Sequence, residues 1–415
     1  MLNADGNREL CYIVEIGKIE PIDGYDRVEK AHVGGWTILV KKDQFKEGDL
    51  GIYFEIDSKV PETKPFEFLS SKHFKVKTQK FCRGTVLSQG LLMAFEDLPD
   101  KFDVTDLGEI VYKDSGKPIA LGDCLTDYLG VKYSIEADNK RKSNSNNKYN
   151  GMIQRHQKLF KQNKIIKWLF KRKWGKELLF LFLGKKKDNQ YAFPSHFKYI
   201  HKTDEERVEN LAPAIFEDKE PWIVTEKIDG TSTTFILERK KQILGKDKYE
   251  FYVSSRNVRQ LRPDQANYHS ADSNVYWDMA IKYNIEEVLK QLLEENPNWD
   301  YVGLQGETAG YGLQGNPNKM KDVRFFGFNL IDSVKGRWNS IEAKNKMSTY
   351  GINWVPIIQE NYILPDTIEE MKAQADGVTA IDGAEGLREG FVYRSLDGVR
   401  SFKNVSNKFL ILKGE

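Results

Sequence analysis

Lys227, Asp229 and Gly230 form a Lys-x-Asp-Gly element. It closes the apolar, β-prone run Trp222-Ile223-Val224, and a second β-prone run, Thr231 to Leu237, follows. That context predicts strand, tight turn, strand, with Lys227 held on a sheet rim. A lysine amine titrates near pH ~10.4, so at neutral pH it is protonated and a poor nucleophile. Nearby cations destabilise the ammonium form and lower that value. Lys403 and a divalent metal ion could supply such charge. The rival reading is a solvated lysine beside a glycine turn.

Five further groups follow in order. Ser254-Ser255-Arg256-Asn257 comes after the β-prone Tyr249–Val253. Gly306-Glu307-Thr308-Ala309-Gly310 comes after Tyr301–Gln305. Phe325-Phe326-Gly327-Phe328 lies in an apolar run ending at Asp332. Glu389 opens a strand-like segment to Arg394, and Ser401-Phe402-Lys403-Asn404-Val405 comes last. Asp229, Glu307 and Glu389 are hard oxygen donors suited to Mg²⁺ or Mn²⁺, which keep several of their waters. The two metals suit such a site equally. Arg256 offers a planar fork of donors for a phosphate or a ribose, or for a surface ion pair. Phe328 is a stacking platform or a core residue, because Phe325–Ile331 alternates as a half-buried strand does.

This ordered series resembles the covalent nucleotidyltransferases, the superfamily of ATP-dependent polynucleotide ligases and GTP-dependent capping enzymes. The resemblance implies that Lys227 takes AMP from ATP, with Mg²⁺ or Mn²⁺ held by Asp229, Glu307 and Glu389 through waters. It implies that Lys403 neutralises the α-phosphate, that Arg256 and Glu307 bind the nucleotide, and that Glu389 does so as well as facing the metal. It implies that Phe328 stacks on adenine. Selection of adenine over guanine is expected from hydrogen bonds at the base edge, from backbone around Glu226. The family's last element often carries a second lysine two residues beyond the first; here that position is Val405.

Gly306–Gln314 has the form this motif takes in RNA ligases. Upstream, residues 12–56 read as short alternating strands divided by Gly/Asp turns, such as Gly34-Gly35-Trp36-Thr37-Ile38-Leu39-Val40, which suggests a small barrel. With Lys202–Asn210 just before the nucleophile, the chain resembles the Deinococcus/Naegleria-type RNA ligases, which place an OB domain ahead of the catalytic domain. Lys202 and Arg207 are then candidate triphosphate contacts, or members of surface ion pairs. The expected activity is sealing of 3′-hydroxyl and 5′-phosphate ends, at nicks in an RNA-containing duplex. A capping-type guanylyltransferase is the rival enzyme, and a non-catalytic nucleic-acid-binding protein on a ligase fold is the rival from another class.

The fold class expected is α+β. Residues 1–130 form the all-β OB-type barrel, residues 131–190 a basic linker with amphipathic helices, and residues 191–415 the adenylyltransferase domain. Its core is two antiparallel sheets, flanked by helices at Val275–Glu295 and Ile368–Ala375. A length of 415 residues suits two or three domains. The net charge of +2 conceals an asymmetry, because residues 139–187 carry sixteen Lys/Arg against one acid, Glu177. That segment reads as a packed helical bracket, a nucleic-acid grip, or an interfacial membrane helix. Its apolar run Leu178–Leu183 is too short to span a bilayer. Cys11, Cys82 and Cys124 are widely spaced and imply neither a disulfide framework nor a metal site. Met1–Arg8 is polar and lacks the apolar core of a signal peptide, so a cytoplasmic monomer is expected.

Overall fold

Two patterns govern the strands that form: alternation of apolar and polar residues where one face is buried, and continuous apolar runs where both are. The computed structural model describes residues 8–84, 86–134, 193–242, 245–262 and 274–413, with Ile166, Leu169, Arg172 and Leu179. The basic segment 139–187 thus lies largely outside the described residues; Ile166, Leu169 and Leu179 are helical. By packing, the chain divides into two compact units. One is Met1–Asp138, Asp204–Ile228 and Pro356–Glu415; the other is Asn139–Thr203 and Asp229–Val355.

The first unit begins with short strands: β1 (Cys11–Glu15), β2 (Ile19–Ile22), β3 (Tyr25–Val33), β4 (Trp36–Lys41), β5 (Leu50–Phe54) and β6 (Ser58–Lys59). After them come β7 (Gln79–Phe81), β8 (Val86–Ser88), β9 (Leu91–Met93), β10 (Phe102–Val104), β11 (Ile110–Tyr112) and β12 (Lys132–Tyr133). They pair as β1-β5-β9, β2-β3-β4, β7-β8, β10-β11 and β12-β6. Along β4 the alternation is plain: Trp36, Ile38 and Val40 are buried, while Thr37 and Leu39 are half-buried. These three pack with Ile16, Tyr53 and Ile56, and the same cluster includes Val405, Phe409 and Leu410 from the far end of the chain. The barrel core is therefore completed by C-terminal residues.

The same unit continues with β13 (Glu206–Arg207), a single turn of helix α1 (Val208–Leu211) and β14 (Trp222–Lys227). Five of the six residues of β14 are buried, as a central strand demands.

The second unit is built on β15 (Thr231–Lys240), β16 (Lys248–Ser255), β17 (Tyr301–Ala309), β18 (Arg324–Asp332) and β19 (Gly336–Arg337), in the order β16-β15-β17-β18-β19 with all pairs antiparallel. Helices α2 (Val275–Lys282), α3 (Ile285–Glu295) and α4 (Ser340–Ser348) accompany it. The span Val275–Glu295, expected as one helix, is two. Asn284 adopts left-handed geometry (φ 49°), which asparagine tolerates, and the axis breaks there. Ile285, Val288, Leu289, Leu292 and Leu293 then line one buried stripe of α3 against the sheet.

The first unit closes with β20 (Ile357–Tyr362), α5 (Ile368–Ala375), β21 (Gly390–Ser395), β22 (Ser401–Val405) and α6 (Asn407–Lys413). Helix α5 has the bounds expected of it, and the Thr367 hydroxyl caps it by accepting from the Glu370 N–H. The sheet order is β13-β22-β21-β14-β20. It is antiparallel except for β13, which runs parallel to β22. The architecture is α+β with an N-terminal barrel, as expected. Among the described residues, no helix is long and apolar enough to cross a membrane.

Candidate active site

Strand pairing in the first unit brings Lys227 and Glu389 together. Lys227 ends β14 and pairs with Gly390, the first residue of β21, so Glu389 is delivered beside the lysine. Its amine Nζ lies 2.6 Å from Glu389 Oε1, with the lysine side chain 26% exposed and the carboxylate 13%. Gly390 has φ 150°, and a Cβ there would stand 2.2 Å from the Asn404 carbonyl oxygen. Only glycine lets β21 approach β22 this closely.

Lys403 is in the same sheet. Its neighbours in register are Val392 on β21 and Arg207 on β13. Lys403 is buried, with Nζ 3.3 Å from Asp204 Oδ1. Burial, reinforced by the charges of Arg8, Arg207 and Lys227 and opposed by Asp204, lowers its pKa to about 8. A lysine so placed carries a proton that is easily lost.

Around these lysines are buried charges that sequence reasoning had not singled out. Arg394 Nη2 donates to Glu205 Oε1 at 3.2 Å, and Nη1 donates to the Thr225 hydroxyl at 3.3 Å. Burial opposes the Glu205 carboxylate, but Arg394 and Lys403 outweigh it and hold its pKa below the usual range. Arg207, read as a triphosphate contact or a surface ion pair, is buried, and Nη2 donates to Asp57 Oδ2 at 3.0 Å. Asp57 belongs to the turn after β5, in the barrel. Arg394 lies in β21, which is buried along its whole length, and the Arg207–Asp57 contact spans about 150 residues, beyond any local pattern.

Glu226 is committed within the fold. Its N–H donates to the Pro356 carbonyl at 2.9 Å. Its carboxylate accepts from the Thr379 hydroxyl and from the Ala380 N–H at 2.6 Å. Burial pushes its pKa up despite those two bonds. The Glu226 N–H is therefore engaged within the fold, and the side chain ties residues 379–380 to β14.

The remaining predicted residues belong to the second unit. Asp229 and Gly230 lead into β15, where a Cβ on Gly230 would be 2.3 Å from the Thr308 carbonyl oxygen. The glycine of Lys-x-Asp-Gly is thus required by the approach of β17. Glu307, half-buried on β17, faces Ser232 on one side and Phe326 on the other. Phe328 lies at a bulge: Gly306 pairs with Gly327 and Gln305 with Asn329, which leaves Phe328 as the extra residue. It is half-buried where Phe325 and Phe326 are buried, so the strand's alternation is interrupted at the residue expected to stack. Arg256 follows β16 and is exposed, as is Lys202.

Among the described residues, no three His, Cys, Asp or Glu side chains lie close enough to hold an ion directly. Glu389 nonetheless fits a hard cation: its Oε2 is buried with no hydrogen-bond partner, and such an oxygen is costly to bury unsatisfied.

Comparison with known proteins agrees with this architecture. The family model for an OB-fold domain matches residues 10–95, and that for RNA ligase matches residues 220–410. No curated protein sequence matches the chain. Among solved structures, a mutant Naegleria gruberi RNA ligase with ATP and Mn is 27% identical, with TM-score 0.67, over 98% of this chain and 99% of that one. The Naegleria enzyme with PPi is 28% identical, with TM-score 0.67 and the same coverage. Another mutant, with AMP and Mn, gives 28% identity and TM-score 0.67, again over 98% and 99% of the two chains. The chain carries an OB-fold domain followed by an RNA ligase domain.

Proposed function

We propose that this RNA ligase seals 3′-hydroxyl and 5′-phosphate ends, at nicks in a duplex, through a covalent Lys227–AMP intermediate. It is ATP-dependent and uses a divalent metal ion, a reading supported by the relatives solved with ATP, AMP and Mn. The observation that carries it is the Lys227–Glu389 contact at 2.6 Å, in the sheet that also holds Lys403.

In the first step the Lys227 amine attacks the α-phosphorus of ATP. A nitrogen–phosphorus bond forms, the bond to the bridging oxygen breaks, and pyrophosphate leaves. In the second step a 5′-phosphate oxygen of the nucleic acid attacks the same phosphorus and Lys227 leaves. In the third the 3′-hydroxyl attacks the activated 5′-phosphate, giving up its proton, and AMP leaves. Each is a phosphoryl-type transfer in which positioning and charge neutralisation dominate.

Glu389 accepts from the amine and fixes its direction before ATP arrives. Lys403, charged below its pKa, neutralises the α-phosphate. Arg394, Glu205 and Asp204 hold the lysines' strand and segment in place. Arg256 and Phe328 bind the phosphate or ribose and the base, and Lys202 and Arg207 keep the triphosphate role that their segment implies. A Mg²⁺ or Mn²⁺ ion supplies further neutralisation at phosphate oxygens. Asp229, Glu307 and Glu389 are the carboxylates that would hold it, through its waters.

The test is incubation with α-labelled ATP or GTP, followed by peptide mapping. AMP on Lys227 and sealing of a nicked duplex with an RNA 3′ end support the reading. A GMP adduct would move it to a capping-type enzyme. Absence of any adduct would remove it.

A further inference from the structure

We infer that the loop 310–323, with Tyr311 at its tip, is a binding platform for the nucleic-acid strand: a base stacks on the Tyr311 ring while Lys319 and Lys321 take backbone phosphates. This inference rests on the ligase reading and adds a contact to it.

The loop joins antiparallel neighbours β17 and β18, and its two ends are pinned. Gly310 has φ 134°, and a Cβ there would lie 2.1 Å from the Asp322 carbonyl oxygen, so the ends close as tightly as glycine permits. Between the ends the chain bonds to itself. Leu313 N–H donates to Gly310 O at 3.1 Å, Asn316 N–H to Leu313 O at 2.8 Å, and Lys319 N–H to Asn316 O at 3.0 Å. The Asn316 side chain donates to Met320 O at 2.8 Å and accepts from Met320 N–H at 3.0 Å. Asn318 and Met320 are buried and anchor the loop on its unit.

A loop with its own anchors has buried Met320 and left Tyr311 77% exposed. One exposed apolar residue is ordinary. Here the ring is displayed on a closed, internally bonded loop, so a ligand stacking on it orders little further chain. The exposed charge of the loop is mainly of one sign. Lys319 and Lys321 are exposed. The only acid of the loop, Asp322, faces Arg324 at 3.3 Å and Lys282 at 3.9 Å, and is offset by them. A loop that exposes an aromatic ring and two cations fits a stacked base and backbone phosphates, the combination used for single strands and opened ends.

The experiment uses the full chain with Tyr311→Ala, Tyr311→Phe and the double change Lys319→Ala/Lys321→Ala. Lysine labelling by ATP, affinity for a nicked duplex with an RNA 3′ end, and KM and kcat for sealing are measured at several salt concentrations. Tyr311→Ala should weaken duplex affinity and raise KM about tenfold, because a base–aromatic stack is lost. Tyr311→Phe should stay within about twofold, since the ring face is kept. The double lysine variant should flatten the salt dependence by roughly two phosphate contacts. All three should label with ATP at the wild-type rate. Wild-type affinity and KM for Tyr311→Ala at every salt concentration would overturn the inference. So would a loss in Tyr311→Phe as deep as in Tyr311→Ala, because the hydroxyl and not the ring would then be responsible. A wild-type protein that neither labels nor seals counts against the ligase reading itself, which is distinguishable from an inert Tyr311.

Discussion

Arg207 and Lys403 are register partners on the adjacent parallel strands β13 and β22, so two cations stand side by side in the interior of the ligase sheet. Each has its own carboxylate, Asp57 for Arg207 at 3.0 Å and Asp204 for Lys403 at 3.3 Å. The arginine cannot give up its proton, so the strain of proximity falls on the lysine. Asp57 comes from the barrel, and the barrel thereby shapes the charge at a predicted catalytic residue.

A pH profile follows from this pairing. Lys403 must be charged to neutralise the α-phosphate, and its pKa is about 8. The second-order rate of labelling by ATP, which reports the free enzyme, should fall as pH rises through about 8. Arg8 is one of the cations that depress this value, so Arg8→Gln should move the falling limb to higher pH. Lys403→Arg keeps its charge and should abolish the limb, whatever its maximum rate. A limb that stays in place in both variants would assign it to another group.

Loss of the nucleophile should be complete. Lys227→Ala and Lys227→Arg should form no adduct with ATP, the first for want of an amine and the second because guanidinium stays protonated. The alanine variant removes the Lys227–Glu389 pair, so its thermal midpoint should shift by a few degrees at most rather than collapse. Labelling above background in either variant removes Lys227 from its role.

Glu389→Gln separates the carboxylate's charge from its shape. The amide can still accept from Lys227, but it offers no anionic oxygen to a metal. Labelling should drop by about a hundredfold or more, in line with loss of a charge-stabilising group, and the Mn²⁺ concentration for half-maximal rate should rise. An unchanged metal dependence would separate Glu389 from the metal.

Much of the ligase module was legible locally. The runs before and after Lys-x-Asp-Gly become β14 and β15, and Ile368–Ala375 is a helix with those bounds. Where reading failed, the cause was contact at long range or a single residue's backbone. Asn284 breaks a helix whose apolar spacing runs on through it. Phe328 alternates like its neighbours in sequence, and only the pairing of Gly306 with Gly327 reveals the bulge. The barrel's core draws on the most distant residues. Val405, Phe409 and Leu410 complete its hydrophobic cluster from the chain's far end. Removing residues 1–130 would expose those residues and take Asp57 away from Arg207.

Asn210 offers a gentler cut at the same junction. Its side-chain oxygen accepts from Trp36 Nε1 at 2.6 Å, and its amide donates to Glu55 at 2.7 Å and Glu206 at 2.6 Å. One amide thus satisfies a buried indole and two carboxylates, joining barrel to ligase sheet. Asn210→Ala leaves the indole N–H without that acceptor and removes a donor from both carboxylates. The cost should be ~2–4 kcal/mol, because unsatisfied buried polar groups, charged ones above all, are expensive. Asn210→Asp should be worse, since it adds a third negative charge between two others. Lys219→Ala, which breaks the exposed pair with Asp366, is the control and should be indistinguishable from wild type. Urea unfolding followed by tryptophan fluorescence ranks the three, with ATP labelling measured on the same samples. If Asn210→Ala matches Lys219→Ala, the junction is not held by this amide. If it unfolds early and labels slowly while Lys219→Ala does neither, barrel and adenylylation are coupled through Asn210.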